Sequence, residues 1–379
     1  KPLAAVGVAY KLACALIIRA RERNLPIAAG FEKWLLDLVA IATVTDVMPL
    51  VGENRVLEKF GLMTLKKTRR PGLRQLYQAA AIAADKITTT TVGWMIGPRL
   101  NAAGRMKDAK IAFDLLVASD EESALRGAEE LETLNRARQK ETAIMIEAAL
   151  GEIQPSAADR VILLAKDGWP HGLIGLVAGR LSETYRLPSY VIGITERGIV
   201  GSGRSIPGFH VTNALKSAEK YLLRFGGHPQ ACGFTVRDRN AIEPLFACLK
   251  KVAEQEVLAP GSEVIYALDA ELPIAEAGLE LVELLNTLEP HGEGNPRPKF
   301  LAKNVCVNGW SRVGLLGKHL SLEITDRGIR RRAIAFGKGE RALNLKVGMR
   351  LDLCYELGVN EWNGRREVKI SLIDFSINP

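Results

Sequence analysis

Cysteine is scarce in this 379-residue sequence: five residues, at positions 14, 232, 248, 306 and 354, with no CxxC pair and no Cys/His cluster. Thiols this sparse exclude a disulfide framework and a structural zinc site, and they point to a reducing, cytoplasmic setting. Long apolar runs are missing too. The most apolar early stretch, residues 13–18, lies between Lys11 and Arg19, far short of the roughly 20 apolar residues a membrane span requires. It runs on into Arg19, Arg21 and Arg23 instead of a small-residue cleavage site, so a buried amphipathic helix is expected there, not a signal or an anchor. No histidine precedes His171, and the only carboxylates before Asp46 are Glu22, Glu32 and Asp37. Metal-assisted hydrolysis draws on several carboxylate or imidazole ligands, so no complete metal cage is visible. Internal repeats and low-complexity tracts are absent as well.

What remains is an ordinary globular composition, 47% hydrophobic and 25% charged, able to bury real cores and long enough for more than one domain. Lys and Arg outnumber Asp and Glu by 51 to 43, a formal charge of +8, which favours a polyanionic partner without proving one.

Apolar spacing predicts helices over residues 1–23 and 31–42, with Asp46 at the end of an apolar stretch. Residues 118–150 carry one glycine, no proline and apolar residues near helical spacing, the pattern of a long connecting helix. An α/β texture follows: a buried strand at 161–165, a helix over 173–184, a strand at 190–194, and glycine-rich turns at 201–208 and 226–233. From residue 299 short alternating segments separated by Gly and Asn predict a small antiparallel barrel.

Four motifs could carry chemistry. GPRLNAAGR (97–105) sets Arg99, Asn101 and Arg105 among small residues, where fork-shaped donors can approach an anion. At 167–175 a strand end turns into a helix whose N-terminal amides could hold an anion beside His171, although His171 reads equally well as a structural residue. GSGRS (201–205) offers Ser202, Arg204 and Ser205 where no bulky side chain blocks a phosphate. FGGH (225–228) places His228 directly after Gly227. His171, His210 and His228 share one stretch with both glycine segments, which favours a site over three unrelated structural histidines. The run Lys66, Lys67, Arg69, Arg70 and Arg74 could form a phosphate-facing rim, although a solvated face is the commoner explanation of such a run.

In their order, TVTDVMPL (43–50) with Asn54 and Arg55, GPRLNAAGR, the 171–175 turn, GSGRS and FGGH resemble the RecJ single-strand-specific DNA exonucleases of the DHH phosphoesterase superfamily. LEPHGEGNPRP (288–298) and the strand-rich tail resemble the junction and OB-fold that follow in that family. The resemblance implies an α/β multidomain fold: the end of a DHH-type α/β domain (1–117), a long connecting helix (118–155), a DHH-associated α/β substrate domain (156–260), a junction (261–298) and an OB-fold β-barrel (299–379). It implies hydrolysis of single-stranded DNA from the 5′ end to mononucleotides with manganese or magnesium, in repair and recombination. Asp46 then corresponds to the last metal-binding, catalytic aspartate of the DHH domain, and Arg105, Ser202, Arg204, Gly227 and His228 to positions on the substrate-phosphate side. The Asp-x-Asp, further Asp and Asp-His-His motifs of the superfamily are absent, so a fragment that does not cut by itself is expected, with the remaining ligands upstream of Lys1.

Single-stranded DNA is the expected partner, with a helicase or single-strand-binding protein as possible suppliers, no membrane, and a monomeric state. Two other readings stand beside this one: a non-catalytic single-strand-binding module, and a phosphodiesterase acting on short oligonucleotides. In the tail, Arg312, Lys318, His319, Arg330 and Arg331 are the candidate DNA contacts.

Overall fold

The computed structural model describes residues 3–257, 265–362 and 364–378. The chain divides into two compact units, Lys66–Val264 and the two flanking segments Lys1–Leu65 and Ile265–Pro379 together.

The first flanking segment holds α1 (Ala5–Glu22), α2 (Phe31–Trp34), α3 (Leu36–Thr45) and α4 (Gly52–Leu65). The helix expected over 31–42 is thus broken at Leu35. α3 buries Leu36, Val39, Ala40 and Ile41, and Gly61 lets α4 approach it closely. A Cβ on Gly61 would stand 2.6 Å from the Ala40 Cβ and from the Leu36 carbonyl oxygen. The stretch 13–18 is helical as expected but is not a buried helix: Leu12, Leu16 and Ile18 are all more than half exposed. α1 packs by one face only, through Gly7 and Ile17.

The middle unit opens with α5 (Pro71–Ala79), α6 (Thr89–Thr91), a π-helical turn at Val92–Ile96, α7 (Gly97–Met106) and α8 (Lys110–Val117). α9 (Glu121–Glu152) is 32 residues long. Its start is set by Asp120, whose carboxylate accepts from the Ser123 amide at 2.8 Å, the ordinary way to satisfy a helix's first donors. Then come β1 (Ile162–Asp167), α10 (Ile174–Tyr185), β2 (Ser189–Thr195), β3 (Gly198–Arg204), α11 (Val211–Ser217), β4 (Leu222–His228), β5 (Ala231–Val236) and α12 (Ile242–Glu256). The sheet order is β1-β2-β3-β5-β4. β1 and β2 are parallel, joined by α10, and the other pairs are antiparallel.

Of the segment expected as a turn, residues 201–204 finish β3 and the turn comes at 207–208. Its glycines clear space for packing: a Cβ on Gly201 would meet the Phe234 ring at 2.0 Å, and one on Gly203 the Cys232 sulfur at 2.6 Å. FGGH likewise lies within β4, with Gly227 opposite Cys232 and His228 opposite Ala231.

The closing segment adds β6 (Ala270–Glu271), α13 (Leu279–Asn286), β7 (Phe300–Val313), β8 (His319–Asp326), β9 (Ile329–Ala335), β10 (Arg350–Trp362) and β11 (Arg365–Ile377). Strands run β10-β11-β9-β8-β7-β6, and a β10–β7 pairing closes a five-stranded barrel, the OB architecture. Its core includes Ile274, Ala277 and Val282 from ahead of β7. Among the described residues no helix is long and apolar enough to cross a membrane, and all five cysteines are free thiols.

Candidate functional site

Arg204, the last residue of β3, lies against α10. A Cβ on Gly175 would stand 2.8 Å from its Nη2 and 3.1 Å from the Ser202 Oγ, and one on Gly179 would stand 4.0 Å from its Cγ. Two glycines one helical turn apart therefore open the groove that the arginine occupies. Its Nη1 donates to the Ser202 Oγ and to the Gly203 carbonyl, both at 2.8 Å. Among the described residues no carboxylate answers it. Burial pushes the guanidinium pKa down, and the nearby Arg105 charge pushes the same way.

Arg105, near the end of α7, donates from Nη1 to the Gly172 carbonyl at 3.0 Å. Gly172 is fitted to it: an added Cβ would stand 2.2 Å from the Arg105 carbonyl oxygen. The guanidinium is again pushed down by burial. Asn101 is one helical turn away on the same face of α7, exposed and without a side-chain partner among the described residues. A cavity of about 810 Å³ opens beside Arg105, lined also by Asp167, Gly168, His171, Thr195 and Arg197. It sits at the C-terminal ends of β1 and β2, where open α/β sheets place ligands.

His171 is held in that wall, its Nε2 at 3.2 Å from both the Gly198 carbonyl and the Thr195 hydroxyl. His228 is exposed, and its Nδ1 accepts from the Gln230 amide at 3.3 Å. Gly227 just before it has φ 149°, and a Cβ there would strike the Ala231 carbonyl oxygen at 2.3 Å, so glycine is required.

The other expected residues are placed differently. Arg99 is spent in an ion pair, Nε to the Glu132 carboxylate at 2.7 Å, and it also donates to the Met95 carbonyl. The Ser205 hydroxyl donates to the Ile206 and Phe209 carbonyls of its own loop. His210 caps α11, accepting from the Asn213 amide. Asp46 belongs to the other unit; it ends α3, is exposed, and has no side-chain partner among the described residues. Among the described residues no group of three or more His, Cys, Asp and Glu stands together to hold a metal ion. Asp46 can offer one ligand, and these residues alone do not fit a catalytic cation. Sequence reasoning did not single out Arg138 on α9, which is partly buried and has no acidic partner among the described residues; the signal was an arginine on the helix's apolar stripe.

Residues 158–255 match the DHHA1 domain family and residues 268–374 the RecJ OB domain family. Across 99% of its length the chain is 32% identical to the single-stranded-DNA-specific exonuclease RecJ of Haemophilus influenzae, covering 67% of that protein. The chain belongs to the RecJ family. RecJ of Bacillus subtilis is 32% identical over the whole chain, which covers 47% of it. RecJ of Thermus thermophilus in complex with Mg2+ superposes with a TM-score of 0.79 at 31% identity over 95% of the chain and 54% of that structure; its Mn2+ complex gives the same score over 51%. The chain thus spans about half to two thirds of the RecJ relatives it matches.

Proposed function

We propose that this chain is the strand-gripping part of a metal-dependent 5′ to 3′ single-stranded-DNA exonuclease that hydrolyses phosphodiesters to mononucleotides in repair and recombination. The observation that carries the reading is the uncompensated Arg204 guanidinium, set with Ser202 in the Gly175–Gly179 groove near Arg105. Such fixed, partly dry donors suit a phosphate and the charge that develops on it during displacement. In this reading residues 1–117 are the end of a DHH catalytic domain, 118–155 the connecting helix, 156–260 the substrate domain, 261–298 the junction and 299–379 the OB-fold. Arg105, Asn101, Ser202, Arg204, Gly227 and His228 face substrate phosphates, Asp46 contributes one ligand to manganese or magnesium, and His171 braces the turn. Free thiols fit a cytoplasmic setting, and a helicase or single-strand-binding protein would supply the strand to a monomer.

The lack of a grouped ligand set among the described residues supports a second reading of the chain by itself, a single-strand-binding module. The two readings share one expectation: the 379-residue chain binds end-labelled single-stranded DNA but releases no nucleotides on manganese addition. Manganese-dependent release abolished by Asp46→Asn would show that the chain carries its own ligand set. In a longer form that cuts, Asp46→Ala should abolish turnover while metal-free binding holds within a few-fold; unchanged turnover in that variant favours a structural role for Asp46.

A further inference from the structure

The buried positions of α9 form one stripe at alternating steps of four and three: Ala124, Ala128, Leu131, Asn135, then Met145 and Ala149. Arg138 and Thr142 occupy the two intervening steps, so they lie on the same face. The ends of the stripe are accounted for. Near the start Gly127 packs against Leu115 of α8, and Met145 and Ala149 join the core beneath the sheet. Between them the stripe turns polar without a counter-charge. Arg138 donates from Nη2 to the Oδ1 of the buried Asn135 at 3.0 Å, while its Nε and the Thr142 hydroxyl are buried without a hydrogen-bond partner.

The carboxylate that answers Arg99 is fully engaged, since Glu132 accepts from Arg99 and from Arg136 at 2.7 and 2.8 Å. Burial pushes the Arg138 guanidinium pKa down, and the charges of Arg105 and Arg99 push it the same way. Arg105 acts likewise on Arg204, and Arg105, Arg138 and Arg204 are all partly buried cations, none with an acidic partner in the described residues. Desolvated like charges destabilise a free protein. A run of them is the arrangement expected where a polyanion completes the site.

We propose that Arg138, with the Thr142 hydroxyl beside it, binds a second backbone phosphate of the strand whose neighbouring phosphate is held by Arg105 and Arg204. This rests on the phosphate-binding reading above and extends it to the connecting helix, which thereby becomes part of the DNA track as well as a link between the α5–α8 helices and the sheet.

The test uses the full chain in metal-free buffer with a 5′-phosphorylated deoxythymidylate dodecamer, comparing wild type with Arg138→Met, Arg138→Lys and Arg204→Ala. Losing charge-assisted bonds should weaken the binding of Arg138→Met on the order of 10- to 100-fold, and one lost phosphate contact should flatten the slope of log affinity against log salt by about 0.7. The lysine variant should keep the slope and lose part of the affinity. The melting temperature of free Arg138→Met should equal or exceed that of wild type, because an unanswered cation has left a partly dry site. Wild-type affinity in Arg138→Met beside weak binding in Arg204→Ala overturns this inference and leaves the phosphate reading standing. Wild-type affinity in both overturns both. A lowered melting temperature with equal affinity losses in the Met and Lys variants overturns it in favour of a purely structural Arg138.

Discussion

Glu58 on α4 is fully buried, and neither carboxyl oxygen has a hydrogen-bond partner in the structure. Desolvation raises its pKa from 4.5 to about 8. Between those values the folded chain holds a proton that the unfolded chain has released, so Glu58 makes stability fall as pH rises from about 4.5 through about 8. The penalty at higher pH is on the order of a few kcal/mol. Glu58→Met, close in volume and without the acid, should flatten this dependence and raise the melting temperature at pH 8.5 more than at pH 5. Parallel melting profiles for the two proteins would remove Glu58 as the cause. No sequence pattern marks this residue, because Glu on a charged amphipathic helix looks solvated until the packing of α3 and α4 removes its water. Residue types alone single out Arg204 and Ser202, which the structure joins by a hydrogen bond, whereas the loss of Arg99 to Glu132 depends on a partner 33 positions away.

At the scale of single elements, the N-terminal turn of α10 carries the clearest link between backbone and chemistry. Alanine at Gly175 would improve helix propensity by about 1 kcal/mol, but its Cβ would stand 2.8 Å from the Arg204 Nη2. The mobile end of the arginine can yield, so the fold should persist while the guanidinium is displaced. Gly175→Ala is therefore expected to melt at or near the wild-type temperature and to bind single-stranded DNA on the order of 10-fold more weakly. Anisotropy titrations beside thermal melts decide this, and intact affinity would mean that the groove does not set the arginine's position. Several elements were readable in advance: the long helix expected over 118–150 is α9 at Glu121–Glu152, and the strand expected at 190–194 is β2 at Ser189–Thr195. The glycine segments were only partly turns, with turns at 207–208 and 229–230 and most of the glycines themselves in strands, because local glycine content cannot tell a flexible loop from a strand that must admit the Phe234 ring.

On the whole-molecule scale, the cations behind the net charge of +8 are divided between the two units. In the barrel, β9 and β11 pair only at Ala333 with Ile370 and Ile334 with Ser371. Their N-terminal ends part around a groove of about 740 Å³ lined by Arg330, Arg331, Arg332 and Arg366, with Glu280 and Glu367 at its sides. Arg330 is paired with Glu323 at 2.6 Å and Arg366 with Glu283 at 2.8 Å, which leaves Arg331 and Arg332 as the better phosphate contacts. The double change Arg331→Gln, Arg332→Gln should flatten the salt dependence of single-strand binding by about 1.4, at about 0.7 per phosphate. Long oligonucleotides should lose more affinity than very short ones. An unchanged slope in a barrel that still melts cooperatively would make this groove incidental to DNA binding.

The order of motifs, the long helix, the change to short alternating strands and the basic balance were set by sequence, because local periodicity and residue type act over a few positions and survive without knowledge of partners. Tertiary structure alone decided which cations stay unanswered. Arg99 and Arg138 lie on packed helices of one unit, yet Glu132 neutralises the first and not the second. It also decided that Gly172, Gly175 and Gly179 are points of contact with Arg105 and Arg204. Charge compensation and close approach depend on distances between residues far apart in the chain, and those distances exist only once the helices and the sheet have packed.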